Sequence, residues 1–234
     1  MMNTQSIYEL LQELPLFKNL TNDELKPIVD ISKVRHYRVG THIFLQGEEL
    51  KNVYFIHKGK VKIYKTDLHG KEQIVNILKP GDIFPHAGFF RKDHYPAHSE
   101  MIEDGILIFI PLFSFEPFLI QNPEICIKLF RLLGNEIVDL QVRLEEQILH
   151  NTFEQIMMLL LRIANSHGTW KNEHLVELNT NFTNQELANM IGSSRETVSR
   201  TLTQLKKKEI IHSGTSGNLF INIEQLEQEL QSIS

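Results

Sequence analysis

Four side chains between positions 195 and 200 carry the hydrogen-bonding groups that read DNA bases: Arg195, Glu196, Ser199 and Arg200. An arginine presents a fork of donors that matches N7 and O6 of guanine, and a glutamate can accept from the amino group of cytosine. If the segment is helical, positions i, i+1, i+4 and i+5 share one face. We therefore predict that this face enters a major groove and reads bases.

Further polar residues surround this face and are suited to phosphate rather than to bases. Ser194 and Thr197 offer hydroxyl groups, and Lys206, Lys207 and Lys208 offer ammonium groups, which position a protein on DNA without reading its sequence. Between positions 183 and 208 five basic and two acidic residues give a local charge of +3, whereas the whole chain carries −5. The predicted DNA attraction is therefore a local patch, which two copies would double.

The stretch from Thr183 to Thr203 has the spacing of a helix-turn-helix. Ala188 is small enough for two helices to approach, Gly192 can adopt the left-handed conformation that ends the first helix, and Ser194 can cap the second. The apolar side that joins the helices consists of Leu187, Ile191, Val198 and Leu202. A plain helical hairpin is the alternative, but the cap, the glycine and the polar face agree on a helix-turn-helix.

The elements around this motif complete a winged domain. An amphipathic helix is predicted from about Phe153 to Ala164, and a strand from Leu175 to Leu178. Ile210-Ile211 and Leu219 to Ile223 predict a two-stranded wing, and a short helix closes the chain. We therefore predict a winged helix-turn-helix domain over residues 151–234.

A stripe of apolar residues in steps of four and three precedes this domain. It consists of Cys126, Phe130, Leu133, Ile137, Leu140, Leu144 and Ile148. Such a repeat places one seam along a helix, here more than ~35 Å long, and favours a parallel pair of helices. We predict a dimerisation helix over residues 124–150 and hence a homodimer; the alternative is that the stripe covers a neighbouring sheet. Cys126 is expected to be a small buried hydrophobe, with a redox thiol as the alternative.

Residues 34–111 alternate short apolar runs with turns rich in Gly, Pro and Asp, which predicts a small antiparallel barrel or jelly roll. Lys58-Gly59 and Leu68 to Lys71 are expected to be hairpin turns, and Lys79 to Asp82 a corner. Two helices, Ile7 to Leu14 and Asn22 to Ser32, should precede the sheet, the second capped by Thr21 or Asn22. The predicted class is α+β, with a sheet domain over residues 1–123.

Composition restricts the class of protein. The 41% hydrophobic content is that of a globular chain with a sizeable core. The N-terminus has no signal-peptide pattern, and no stretch approaches the ~18 apolar residues that span a bilayer. We therefore expect a soluble, cytoplasmic protein without a membrane partner. A single cysteine excludes an internal disulfide and cannot supply the four thiolates of an iron–sulfur cluster.

The order of barrel, long helix and winged helix-turn-helix resembles the Crp/Fnr family of bacterial transcription regulators. The resemblance is most specific in SRETVSR, Ser194 to Arg200, which is similar to the family's recognition helix. KPGDIF, Lys79 to Phe84, followed by Gly88-Phe89-Phe90, is similar to its ligand-domain corner. The resemblance implies a regulator that recognises an inverted repeat of TGTGA- or TTGA-like half-sites, because Ser199 is shared with the Fnr branch. It further implies RNA polymerase as a partner and a role as an activator of anaerobic or arginine catabolism genes.

The same resemblance locates an effector pocket with altered residues. The family binds cAMP with a Gly-Glu pair and an Arg-Ser pair, and these positions hold Pro85-His86 and Pro96-Ala97 here. A third pair, from the long helix, falls on Leu140-Gln141. These changes remove an N–H, a carboxylate and an arginine. The resemblance therefore allows cAMP as a ligand but assigns no cofactor. Arg91, Lys92 or His94 are the residues expected to replace the arginine.

Two other functional classes, a metal enzyme and a ligand-binding module, are compatible with a jelly roll. His86, His94 and His98 suggest a metal site, but in a turn-rich segment their spacing carries little information, and we predict no metal. A jelly-roll metal enzyme would need converging histidines and a carboxylate, and no catalytic motif is present, so we predict that the chain is not an enzyme. A ligand-binding module without a DNA role is disfavoured by the helix-turn-helix.

Overall fold

The computed structural model of the protein describes residues 4–18, 20–86, 94–214 and 217–233, with side-chain burial described from residue 7 onward. The chain forms two compact units, Met1–Val138 and Asp139–Ser234, and the division falls within the longest helix. The predicted α+β class, with a sheet domain, a long helix and a C-terminal winged helix-turn-helix, is confirmed.

The first unit contains most of the strands. Its elements are α1 (Thr4–Gln12), α2 (Asn22–Ile31), β1 (Lys33–Tyr37), β2 (His42–Phe44), β3 (Asn52–Lys58), β4 (Val61–Thr66), β5 (Glu72–Leu78), β6 (Ile83–Phe84), β7 (His98–Met101), β8 (Gly105–Pro111) and α3 (Leu112–Gln121). Helix α4 (Pro123–Leu149) crosses into the second unit. The remaining elements are α5 (Thr152–His167), β9 (Gly168–Trp170), β10 (Leu175–Leu178), α6 (Asn184–Ile191), α7 (Arg195–Lys207), β11 (Ile211–Ser213), β12 (Leu219–Asn222) and α8 (Ile223–Gln231).

Two four-stranded antiparallel sheets form the jelly roll, in the orders β1-β8-β3-β6 and β2-β7-β4-β5. The predicted hairpin at Leu68 to Lys71 joins the paired strands β4 and β5, and the predicted corner at Lys79 to Asp82 carries the chain from one sheet to the other. The expectation of a hairpin at Lys58-Gly59 is wrong. Strands β3 and β4 lie in different sheets, so this turn is also a corner, with Gly59 at a φ of +87°.

The side chains of β3 alternate between two hydrophobic cores. Val53 and Phe55 face the helices, whereas Tyr54 and Ile56 face the barrel interior, as expected for side chains that alternate across a sheet. The helical side also includes residues of α1, α2, α3 and the first turns of α4. The first helix begins and ends earlier than predicted, at Thr4 and Gln12, and α2 begins after the predicted Thr21 cap with a full capping box.

The second unit has its own core and a four-stranded sheet, β11-β12-β10-β9. The wing strands β11 and β12 pair as predicted, and β10 occupies the predicted residues. Gly168 lets α5 turn directly into β9, because a Cβ there would lie 2.2 Å from Val176 Cγ1. In the described part of the chain, no helix combines the length and the apolar character that crossing a membrane requires.

Candidate nucleic-acid interface

Caps fix both helices of the helix-turn-helix. The Thr183 hydroxyl accepts from the Glu186 N–H at 3.1 Å, and the Glu186 carboxylate accepts from the Thr183 N–H at 2.8 Å. Helix α6 ends at Gly192, whose φ of +72° is the left-handed conformation that glycine adopts without strain. The Ser194 hydroxyl then accepts from the Thr197 N–H at 3.2 Å and opens α7. The turn between the helices is therefore determined by local chemistry.

Helix α7 is sharply two-sided. Its buried side, which joins the core of the second unit, consists of Val198, Thr201, Leu202 and Leu205. Its opposite side exposes all four residues predicted to read bases, Arg195, Glu196, Ser199 and Arg200. Of the predicted packing residues of the motif, Leu187, Val198 and Leu202 are buried and Ile191 is half-buried. The helix thus presents a polar face on a rigid apolar base.

The charge on that face is well defined. Hydrogen bonds from its own backbone N–H and from the Ser194 hydroxyl lower the pKa of Glu196, and the positive charges of Arg195 and Arg200 act in the same direction. The carboxylate is therefore ionised at neutral pH and available as an acceptor. Two guanidinium groups and one carboxylate on a single face match the donor and acceptor edges of G·C pairs.

The residues predicted to contact phosphate differ in how they are held. The Ser194 hydroxyl serves as the cap and lies 3.0 Å from the Thr197 hydroxyl. The Lys206 ammonium donates to the Ser213 hydroxyl at 2.8 Å, and Lys208 forms an ion pair with Glu229 at 2.5 Å. All three lysines are exposed, but the charge of Lys208 is partly neutralised. Lys206 links the recognition helix to the wing.

Residues that the sequence did not single out support the wing. Glu177 on β10 accepts from the Asn218 side chain at 2.6 Å and pairs with Lys171 at 2.5 Å. These two bonds lower the pKa of Glu177. His212 stacks on Phe220 across the two wing strands with ring planes 3° apart. No local pattern announces these contacts, because Asn218 and Glu177 are 41 residues apart.

Helix α4 presents two apolar faces. Ile125 and Leu129 are buried in the core of the first unit, and Leu133 packs against it. Five of the seven predicted seam residues are instead more than half exposed: Phe130, Ile137, Leu140, Leu144 and Ile148. Cys126 is half-buried with a free thiol. An uncovered row of large apolar side chains along one helix is the surface that a second helix would bury.

The predicted effector positions have mixed surroundings. Pro85 and Ala97 are buried, Pro96 is exposed, and His86 is half-buried with Nδ1 3.4 Å from Glu136 Oε2 on α4. Burial lowers the pKa of His86, although the nearby Asp82 carboxylate opposes that effect. Leu140 and Gln141 are exposed on α4. Arg91, Lys92 and the Gly88-Phe89-Phe90 stretch lie outside the described residues.

Aromatic rings line the barrel interior near these positions. Phe44 stacks on Tyr95 at a centroid distance of 3.8 Å, and Tyr54 stacks on Phe84 at 5.2 Å. Pro85 has no N–H and Ala97 has no side-chain donor, so these two positions lack groups that hold a cyclic phosphate in the family. The chemistry of this donor set departs from what cAMP requires.

The three histidines of the sensor segment have separate environments. His98 stacks on Tyr64 and accepts from the Gln46 N–H at 3.2 Å, whereas the exposed His94 forms a backbone bridge with Glu49. Within the described ranges, no group of three His, Cys, Asp or Glu side chains is placed to hold a metal ion.

Comparison with known proteins agrees with this architecture. Residues 34–122 match the family model of the cyclic nucleotide-binding domain, and residues 154–229 match that of the Crp-like helix-turn-helix domain. Together these two matches cover more than two thirds of the chain.

Related proteins share both parts. The anaerobic regulatory protein of Bacillus subtilis is 26% identical over 204 residues, which cover 87% of this chain and 85% of the relative. The cyclic AMP receptor protein of Thermus thermophilus is 26% identical over 200 residues, covering 86% and 89%. A structure of CooA from Carboxydothermus hydrogenoformans has the same fold, with a TM-score of 0.75, 20% identity and coverage of 93% and 95%.

The relatives are transcription regulators and not enzymes, so the expectation of a non-enzymatic regulator is confirmed by them. Both predicted functional parts, the sensor-type barrel and the helix-turn-helix, are matched by family models. The chain belongs to the Crp/Fnr family of DNA-binding transcription regulators.

Proposed function

We propose that two copies of this chain, joined along α4, bind an inverted repeat of TGTGA- or TTGA-like half-sites. The observation that carries this proposal is the exposed face of α7, on which Arg195, Glu196, Ser199 and Arg200 project from a capped and buried helix. Arg195 and Arg200 match guanines, and Glu196 matches a cytosine. Two such helices related by a twofold axis would read half-sites about one helical turn apart.

The uncovered seam of α4 supports the dimer. Phe130, Ile137 and Leu144 are each 58–60% exposed in the single chain. Burying an apolar side chain of this size contributes about 1.5–3 kcal/mol when complete. A second copy would cover the same row on both helices at once, which is the self-complementary contact of a twofold dimer.

We propose further that the protein acts in the cytoplasm as an activator of anaerobic or arginine catabolism genes and contacts RNA polymerase. The Bacillus subtilis relative is an anaerobic regulatory protein, which supports a respiratory or anaerobic regulon. Genome-wide footprinting of the protein in cells grown with and without oxygen tests this part. Occupied sites upstream of anaerobic genes support it, and occupancy confined to unrelated genes contradicts it.

We propose that the sensor barrel does not depend on tight cAMP binding. The buried Pro85 has no N–H and the buried Ala97 has no side-chain donor at the positions where the family binds ribose and phosphate, and aromatic rings line the nearby interior. DNA binding is then controlled by another effector or needs none.

Selection of bound sequences from a random DNA library tests the operator directly. The purified chain should enrich two inverted half-sites containing TGA, and the enriched duplex should bind one dimer in analytical ultracentrifugation. Enrichment of a single unpaired half-site would contradict the dimeric proposal. A flat library without enrichment would contradict sequence-specific binding altogether.

A further inference from the structure

Side-chain hydrogen bonds stabilise the corner between α4 and α5. Asn151 caps α5, and the buried Glu154 carboxylate accepts from the Asn151 N–H at 3.0 Å. The same carboxylate oxygen lies 3.0 Å from His150 Nδ1. The Gln155 amide donates to the carbonyl oxygens of His150 at 2.8 Å and Gln147 at 3.3 Å, which satisfies acceptors that a helix end leaves open.

A second attachment lies two turns further along α5. The Arg162 Nη1 donates to Glu146 Oε2 at 2.6 Å, and both side chains are about four-fifths buried. Gln155 and Arg162 are seven residues apart, which is roughly 10 Å along a helix at 1.5 Å per residue. Two bonds separated by that distance fix the angle between two helices, whereas one bond at the corner would fix only its position.

This short segment of α4 also lies close to the DNA-reading motif. A methyl group at Gly192, in the turn of the helix-turn-helix, would lie 3.8 Å from Gln147 Nε2. The same segment carries Leu140, Leu144 and Ile148 of the proposed dimer seam, all exposed. The segment of α4 from residue 140 to residue 148 therefore carries both part of the proposed dimer seam and the residues that bond to α5 of the DNA-binding unit.

We propose that Gln155 and the Glu146–Arg162 pair are positioning residues that set the spacing between half-sites the dimer accepts. They touch no DNA themselves. They hold each α7 at a fixed angle to the α4 seam, and the two seams then determine how far apart and how rotated the two recognition helices are. Because the second half-site binds with an effective concentration that depends on geometry, a loose corner weakens spacing discrimination and not half-site contact. This inference rests on the proposed dimeric operator.

The test compares wild type with a Gln155→Leu, Arg162→Met double variant, which keeps the side-chain volumes. Binding is measured by fluorescence anisotropy to a single half-site and to inverted repeats whose separation is changed by one or two base pairs in either direction. We expect half-site affinity within about twofold of wild type, and discrimination between the best and the next separation reduced by about tenfold. Sedimentation should show an unchanged dimer.

Two further variants make the result specific. The exchange Glu146→Arg with Arg162→Glu should restore most of the discrimination that Arg162→Glu alone removes. His174→Ala, which breaks the exposed His174–Glu224 pair in the same unit away from α4, should leave discrimination unchanged. A double variant that keeps wild-type discrimination, or that loses half-site affinity to the same extent, overturns the positioning role. A wild type that binds no inverted repeat instead contradicts the dimeric operator.

Discussion

Residues of α7 present different chemical groups, and we expect them to contribute differently to DNA binding. Arg200 presents a rigid fork of donors on the exposed face, whereas Lys207 presents a flexible point charge near the end of the helix. A fork can distinguish bases, but a point charge responds only to the phosphate backbone. We therefore expect the two residues to affect different measurable properties of DNA binding: sequence specificity for Arg200 and salt dependence for Lys207.

Arg200→Ala should reduce discrimination between the selected operator and a version altered at one guanine by about tenfold or more, because a bidentate contact contributes about 1–3 kcal/mol to discrimination. Competition binding with the two duplexes measures it. Lys207→Ala is the matched control: it should weaken binding to both duplexes equally and flatten the dependence on salt. Full selectivity in the Arg200 variant would contradict a base-reading role.

The buried hydroxyl group of Ser99 in the sensor barrel is expected to lower the stability of the fold. Ser99 is completely buried, and its Oγ has no hydrogen-bond partner among the described residues. An unsatisfied buried polar group costs about 1–3 kcal/mol. Ser99→Ala should therefore raise the free energy of unfolding by about 1 kcal/mol in chemical denaturation. Ser32→Ala is the control, because the buried Ser32 hydroxyl donates to the Ile28 carbonyl at 2.6 Å and its loss should destabilise. A destabilised Ser99 variant would count against this assignment.

Residues whose role is local were readable from the sequence, and residues whose role depends on distant partners were not. Gly192 predicts a turn and Ser194 predicts a cap, because the hydrogen-bond partners of both residues lie within four positions in the sequence. Lys208 is predicted to contact phosphate, and the sequence gives no sign of its ion pair with Glu229, which is 21 residues away on α8. Sequence spacing carries no information on such a pair until the fold brings it together.

Helix α4 is the element on which the proposed dimer depends. Leu140→Glu should abolish both the dimer and operator binding, because two carboxylates would face each other across a buried seam. Sedimentation and gel-shift measurements check the two consequences. Val142→Glu provides a matched control: Val142 is similarly exposed but lies about 200° around the helix from Leu140. A Leu140 variant that stays dimeric would place the seam elsewhere.

Elements with a strong apolar period were predicted, and those without one were missed. Strands β3, β5 and β8 and helices α4, α5 and α7 carry clear patterns. Strand β1 is an edge strand whose residues are mostly exposed, so it has no apolar alternation to detect. Helix α3 contains Pro117, a residue typical of helix breaks, yet burial of Phe115, Phe118 and Leu119 stabilises it.

At the scale of the whole molecule, the DNA-binding unit keeps the family pattern and the sensor departs from it. Isothermal titration should detect no micromolar binding of cAMP to the wild-type chain, because Pro96 and Ala97 replace the phosphate-binding pair. Pro96→Arg combined with Ala97→Ser restores an arginine and a hydroxyl, and it should raise cAMP affinity measurably above wild type. Micromolar binding by wild type would show that other residues recognise the nucleotide.

The strand order of the sensor also determines when it can fold. Strand β1 pairs with β8, so that Lys33 meets Phe109 more than seventy residues later, and β2 waits similarly for β7. Contacts of such long range slow folding, and they leave strand edges open on a growing chain. During synthesis the ribosome must release the chain through Met101 before the sheet that holds β2 and β7 can close, and through Pro111 before the sheet that holds β1 and β8 can close. Chains stopped short of that residue should aggregate, and the helix-turn-helix emerges only after the sensor has had time to form.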